Sequence, residues 1–240
     1  MKWNRRTDGS ETLFLKDEEI ERIMEDELEK AGLFPAVEEP VVDLEAFIEK
    51  HLGAKLDQHA DLEANLLGET ELRRGERALV KINRDLTGLA DDFGRLGDVG
   101  RLRSTLAHEG SHVVLHRVEF ELGQDQGYLF GATRPAGENG VRMFRCLKRD
   151  LSAGGDPREW QANKGMAALL MPRRLFRGVA LPMFEASGVR PLQLDRTDRK
   201  AYELACRIAE IFRTSRQAAL IRLETLRLVA RADEVGLDLA

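Results

Sequence analysis

The stretch TLAHEGSHVVLH, residues 105–116, places three of the chain's five histidines four apart, with Glu109 directly behind the first. Leu102, Leu106, Val113, Val114 and Leu115 are spread around most of a helix's circumference, so a helix from Arg101 to Arg117 is expected to be buried nearly all round. At about 100° per residue the imidazoles of His108, His112 and His116 fall within about 80° of one another, with Thr105 between them and Glu109 alongside. A buried helix thus carries one narrow polar stripe. Imidazoles stacked in an apolar setting are costly without a partner, which makes a bound cation the cheaper account of the stripe.

HEGSH, residues 108–112, matches the HExxH pattern of zincins. Two imidazoles one turn apart reach the same small ion, and the glutamate between them addresses the water that ion holds. One zinc per chain is the expectation, with His108 and His112 as ligands and Glu109 as general base. A third protein ligand is needed. His116 continues the stripe, but on a straight helix it lies about 12 Å along the axis from His108, too far to share one tetrahedral ion. Glu159, which opens a later helix, is the better third ligand. Asn163 one turn on is placed to orient a metal-bound group, and His116 is left to support the ligands or line the cleft. A developing oxyanion would need a donor as well, for which Tyr128, Tyr202, His116 or an arginine are candidates.

The rest of the chain sets the frame. At 240 residues it can bury a full core. No window of 18 uninterrupted apolar residues and no apolar run behind the N-terminal charges appear, so neither a membrane span nor a signal peptide is expected, and the chain reads as cytoplasmic. Cys146 and Cys206 have no CxxC spacing and read as ordinary thiols. The net charge of -5 hides a gradient: residues 1–71 hold 20 acidic and 8 basic side chains, residues 190–231 hold 10 basic and 5 acidic. Faces that attract across the fold explain this better than a nucleic-acid surface, because no basic block is uninterrupted.

Periodicity predicts an amphipathic helix from Asp17 closed by Gly32, a second over 41–53, and a short strand in AKLDQHADL. A hairpin follows, turned at Gly75 and Glu76, whose second strand alternates from Ala78 to Ile82. That strand is a candidate sheet edge for holding an extended peptide. Residues 86–100 read as a Gly- and Asp-rich loop, VRMFRCLK as a strand, and PREWQANKGMAALLMP as a helix started at Pro157 and closed by Pro172. Two helices, Asp198 to Phe212 and Arg216 to Val229, end the pattern, with Thr214 and Gln217 resembling a capping box. The fold expected is α+β, mostly helical, with a small antiparallel sheet and a C-terminal helix pair. Its parts are a tail over 1–16, a zincin-like domain over 17–190, a helical subdomain over 191–232 packed on it, and a second tail over 233–240.

These segments resemble the ImmA/IrrE-type metallopeptidases. RSTLAHEGSHVVLH is similar to that family's RFTLAHELGHLLLH, and EWQANKGMAALLMP to its E-x-x-A-N-x-F-A-A-x-L-L-M-P; the resemblance runs over most of residues 17–229. It implies metal ligands at His108, His112 and Glu159, the base at Glu109, and a protein substrate, typically a co-encoded helix-turn-helix repressor cut once. Gly110 and Ser111 stand where the family has Leu and Gly, and Gly165 and Met166 where it has Phe and Ala. Two other readings compete: a DNA-binding regulator using Arg213, Arg216, Arg222 and Arg227 of the closing helices, and an inactive metal-binding or antitoxin-type module.

Overall fold

Residues 2–5, 11–129, 141–147 and 156–230 are described by the structure, a computed structural model. The first sixteen residues, expected as a tail, include an antiparallel pair, β1 (Lys2–Arg5) and β2 (Glu11–Phe14). Helix α1 (Asp17–Ala31) follows its periodicity: Ile20, Met24 and Leu28 are buried, and Gly32 at φ +67 ends it in the left-handed conformation that glycine adopts without strain. The second expected helix is short. α2 (Leu44–Ala46) is capped by Asp43, which accepts from the Ala46 amide at 2.9 Å, and then widens into a π turn over Phe47–His51 that buries Phe47 and Ile48.

Four strands form the main sheet: β3 (Lys55–Ala60), β4 (Leu66–Arg73), β5 (Leu79–Asn83) and β6 (Val141–Leu147), in the order β3-β5-β4-β6. The predicted β4–β5 hairpin is present, with Gly75 at φ +71 in its turn. The sheet is mixed and not antiparallel, because β5 returns from that hairpin to lie parallel beside β3. This also corrects the role given to the Ala78–Ile82 segment. β5 is bonded on both sides, and Val80 and Ile82 are fully buried, so it has no free edge to offer a peptide. Among the described strands the edges of this sheet are β3 and β6.

The segment read as a loop over 86–100 is helical. α3 (Arg84–Phe93) is capped by Asn83, which accepts from the Asp85 amide at 3.0 Å, and closes at Gly94; α4 (Leu96–Leu129) starts two residues later. Burial of Leu86 and Ala90, one turn apart, outweighs the low helix propensity of the glycine between them. α5 (Pro157–Leu170) begins as predicted, with Asp156 as its cap. α6 (Arg173–Ala186) follows directly, burying Leu175, Phe176, Val179, Ala180 and Phe184; Pro172 before it and Pro182 inside it hide it in the sequence. α7 (Arg199–Ile211) and α8 (Arg216–Thr225) make the C-terminal pair, and the cap of α8 is Ser215, which accepts from the Ala218 amide at 3.1 Å, and not Thr214.

α4 is the axis of the molecule. One face of the sheet, bearing Gly68 and Thr70 of β4, lies on it, while the other carries an ion-pair ladder in which Glu69 meets Lys81 and Arg145, each at 3.0 Å. α5 crosses α4 on the opposite side so closely that a Cβ at Gly165 would fall 2.6 Å from Ser111 Oγ. A Cβ at Gly100 would likewise fall 2.9 Å from the backbone of Ser215, so the start of α4 is pressed against the α7–α8 turn. On α8, buried Arg222 grips Glu21 of α1 with two guanidinium nitrogens and donates to the Met171 carbonyl. Among the described residues no helix is long and apolar enough to cross a membrane.

Candidate metal centre

α4 and the first turn of α5 build the site between them. His108 and His112 project from successive turns of α4, and Glu159 reaches them from α5 because Asp156 and Pro157 start that helix just beside the stripe. His108 Nε2 lies 3.1 Å from His112 Nε2 and 3.1 Å from Glu159 Oε2, and His112 Nε2 lies 3.5 Å from the same Glu159 oxygen. Ligand atoms about 2.1 Å from a tetrahedral zinc stand about 3.4 Å from one another, so this triangle has the size that ion requires. The two histidines are buried, whereas the Glu159 side chain keeps 26% of its surface, which leaves one open side.

The rings are held by their other nitrogens. His108 Nδ1 lies 3.1 Å from Asn163 Oδ1, and His112 Nδ1 lies 3.0 Å from His116 Nδ1. With Asn163 Oδ1 as acceptor, His108 Nδ1 is the donor, and Nε2 is the nitrogen that faces Glu159 and His112. His112, using Nε2 in the same way, donates from Nδ1 to His116. His116 Nε2 then holds that ring's proton, buried beside Gln161. Phe144 of β6 closes the stripe from the sheet side, stacked on His112 at 4.3 Å between centroids and tilted on His116 at 5.2 Å.

Electrostatics separate the five groups. Burial pushes His112 down to about 4, and burial with its imidazole neighbour holds His116 well below its ordinary value. Burial opposes charge on His108 too, but the Glu159 and Glu109 carboxylates outweigh it and raise that imidazole. Glu159 is desolvated as well, yet the two imidazoles hold its carboxyl far below the usual range. Glu109 goes the other way: complete burial pushes it up to about 7, against the pull of His108 and Thr70. Thr70 Oγ1 donates to Glu109 Oε2 at 2.6 Å, while Glu109 Oε1 has no partner. Such a carboxylate is poised to exchange a proton near neutral pH.

Four of the residues singled out by sequence, His108, Glu109, His112 and Glu159, are brought together, and Asn163 and His116 stand directly behind His108 and His112. Tyr202 is not part of the site. It is exposed on α7, with its hydroxyl and ring engaged by Arg216. The side chain of Tyr128 and the tail over 233–240 lie outside the described residues. Of the arginines offered for phosphate contact, Arg222 is buried on Glu21. Sequence reading missed Gly68, Thr70, Phe144 and Cys146, all supplied by the sheet. A Cβ at Gly68 would fall 2.8 Å from Glu109 Oε1, so the glycine makes room for that carboxyl. Cys146, read as an ordinary thiol, shares a 4.8 Å cluster with a ring nitrogen of His108 and a carboxylate oxygen of Glu109. Nothing in the spacing of β4 or β6 signals these contacts, because they depend on which face of the sheet meets α4. The chain matches no family model, no curated protein and no solved structure in comparisons with each.

Proposed function

We propose that this chain is a zinc-dependent endopeptidase of zincin-like architecture that makes a regulatory cut in a specific protein inside the cell. The observation that carries the proposal is the convergence of His108 Nε2, His112 Nε2 and Glu159 Oε2 at 3.1–3.5 Å, with one side open and the buried Glu109 carboxyl alongside. The motif resemblance adds the substrate class, a helix-turn-helix repressor.

Zinc held by these three residues supplies a Lewis acid for a peptide carbonyl and lowers the pKa of bound water. The chain's own residues do the rest. Glu109, pushed up to about 7, takes a proton from the attacking water and returns it to the leaving amine. Thr70 fixes the carboxyl through Oε2 and so leaves Oε1 as the working oxygen. Asn163 and His116 keep both ligand imidazoles in the tautomer that presents Nε2.

The test joins metal content to cleavage of the co-encoded regulator, followed by mass spectrometry of the products. The purified chain should hold about one zinc, which His108→Ala, His112→Ala or Glu159→Ala removes. Glu109→Gln should keep the zinc and lose roughly 10²-fold or more in cleavage rate. Full metal content in all three ligand variants would overturn the site. Zinc binding with no cleavage by the wild type would favour a metal-bearing interaction module.

A further inference from the structure

A cavity of about 600 Å³ lies between α5 and α8, within the range that small ligands and side chains occupy in proteins. Its walls are Trp160, Met166 and Leu170 from α5 and Ala218 and Ile221 from α8; Trp160 and Met166 are half-buried, and Ile221 keeps 46% of its surface. We propose that this cavity receives the substrate side chain beside the cut bond, and that the chain therefore selects peptides with a large apolar residue at that position. The proposal rests on the peptidase reading and names its specificity pocket.

Continuity with the metal centre identifies the occupant. Glu159 and Asn163 line the cavity, and the same two side chains meet His108, one at Nε2 and the other at Nδ1. An extended peptide advances about 3.3 Å per residue, so a carbonyl held at the triad brings a neighbouring side chain to this opening. Charge then selects among side chains. Lys164, which lines the cavity, is bonded to Asp17 at 2.7 Å, and Arg222 is spent on Glu21 and the Met171 carbonyl. With both cations paired, an acidic side chain would enter the cavity without a free counter-charge on its walls, whereas an apolar one covers Trp160, Met166 and Ile221.

The test uses three hydroxamates on the zinc-loaded full chain carrying Trp3→Phe, which leaves Trp160 as its one indole. Acetohydroxamate probes the metal alone; two longer analogues differ only in an isobutyl or a carboxymethyl side chain next to the chelating group. The isobutyl compound should bind at least roughly tenfold tighter than the carboxymethyl one and shift Trp160 emission. Ala218→Phe, which narrows the cavity, and Ile221→Asp, which charges its rim, should each cut that preference to about threefold or less, with zinc content and acetohydroxamate affinity unchanged. Equal affinity of the two analogues for the parent chain, or a preference that survives both substitutions, overturns the pocket while leaving the metal centre standing. Failure of the parent chain to bind zinc or acetohydroxamate overturns the peptidase reading and the pocket with it.

Discussion

His112 and His116 are joined ring to ring, Nδ1 to Nδ1 at 3.0 Å, so the imidazole whose Nε2 faces His108 and Glu159 is oriented by a third that stands behind it. His116→Ala removes that acceptor without touching a ligand atom. The expected outcome is about one zinc per chain still bound, with affinity reduced roughly 10- to 100-fold, and partial recovery in His116→Asn, whose amide oxygen can accept. Competition with a chelator of known affinity measures it. Complete loss of zinc would put His116 in the coordination shell, and unchanged affinity would make the contact incidental.

Glu109 gives the metal-free protein a pH signature. Its carboxyl is pushed from 4.5 to about 7 on folding, so between these values the folded state holds a proton that the unfolded state has released. Stability from this group is therefore full below about pH 4.5 and falls as pH rises toward 7, by on the order of 3 kcal/mol. Glu109→Gln cannot titrate. Metal-free Glu109→Gln should be more stable than metal-free wild type at pH 8, and the gap should close near pH 5. Urea denaturation at the two pH values decides it, and a gap that does not depend on pH would remove the argument.

Gly68→Ala tests the room made for the base. The added Cβ would lie 2.8 Å from both Glu109 Oε1 and Thr105 Cγ2, so Glu109 must turn away. Zinc content should stay intact while cleavage falls by roughly tenfold or more, with about 1–3 kcal/mol lost from stability by overpacking. Unchanged activity would mean that the working position of Glu109 lies elsewhere.

Ser111 and Gly165, two of the positions at which the motifs depart from the ImmA/IrrE pattern, touch each other where α4 crosses α5. The family pattern has Gly and Phe there, so small and large have changed sides. A Cβ at Gly165 would fall 2.6 Å from Ser111 Oγ and 2.8 Å from Ser111 Cβ. Gly165→Ala should destabilise by about 1–3 kcal/mol, and combining it with Ser111→Gly should cost at least about 1 kcal/mol less than the two separate losses predict. Denaturant unfolding of the four proteins of the cycle measures the coupling, and simple additivity would show that the pair does not set the helix spacing.

The convergence of His108, His112 and Glu159 was legible in the sequence because one local rule places them: HExxH works within a single helix, and Pro157 with Asp156 announces where α5 begins. The same applies to α1, whose buried Ile20, Met24 and Leu28 keep helical spacing up to Gly32. Legibility failed where long-range packing overrides local signals. Glycines at 88, 94, 97 and 100 made α3 and the start of α4 look like a loop, and two prolines concealed α6. The alternation of Ala78 to Ile82 identified a strand but not its neighbours, so an interior strand was taken for an edge. Thr70 and Phe144 were invisible for a related reason: their importance comes from sheet partners 74 positions apart in the chain that converge on α4.

The buried Arg222–Glu21 pair joins residues 201 positions apart, which gives the order of synthesis a meaning. His108, His112 and Glu159 have all been made once Glu159 is added, but Arg222 follows 63 residues later. At ribosomal rates of about 5–20 residues per second, that interval lasts roughly 3–13 s. During it the three proposed ligands are all present while α8, the outer wall of the cavity and the anchor for α1, has yet to arrive.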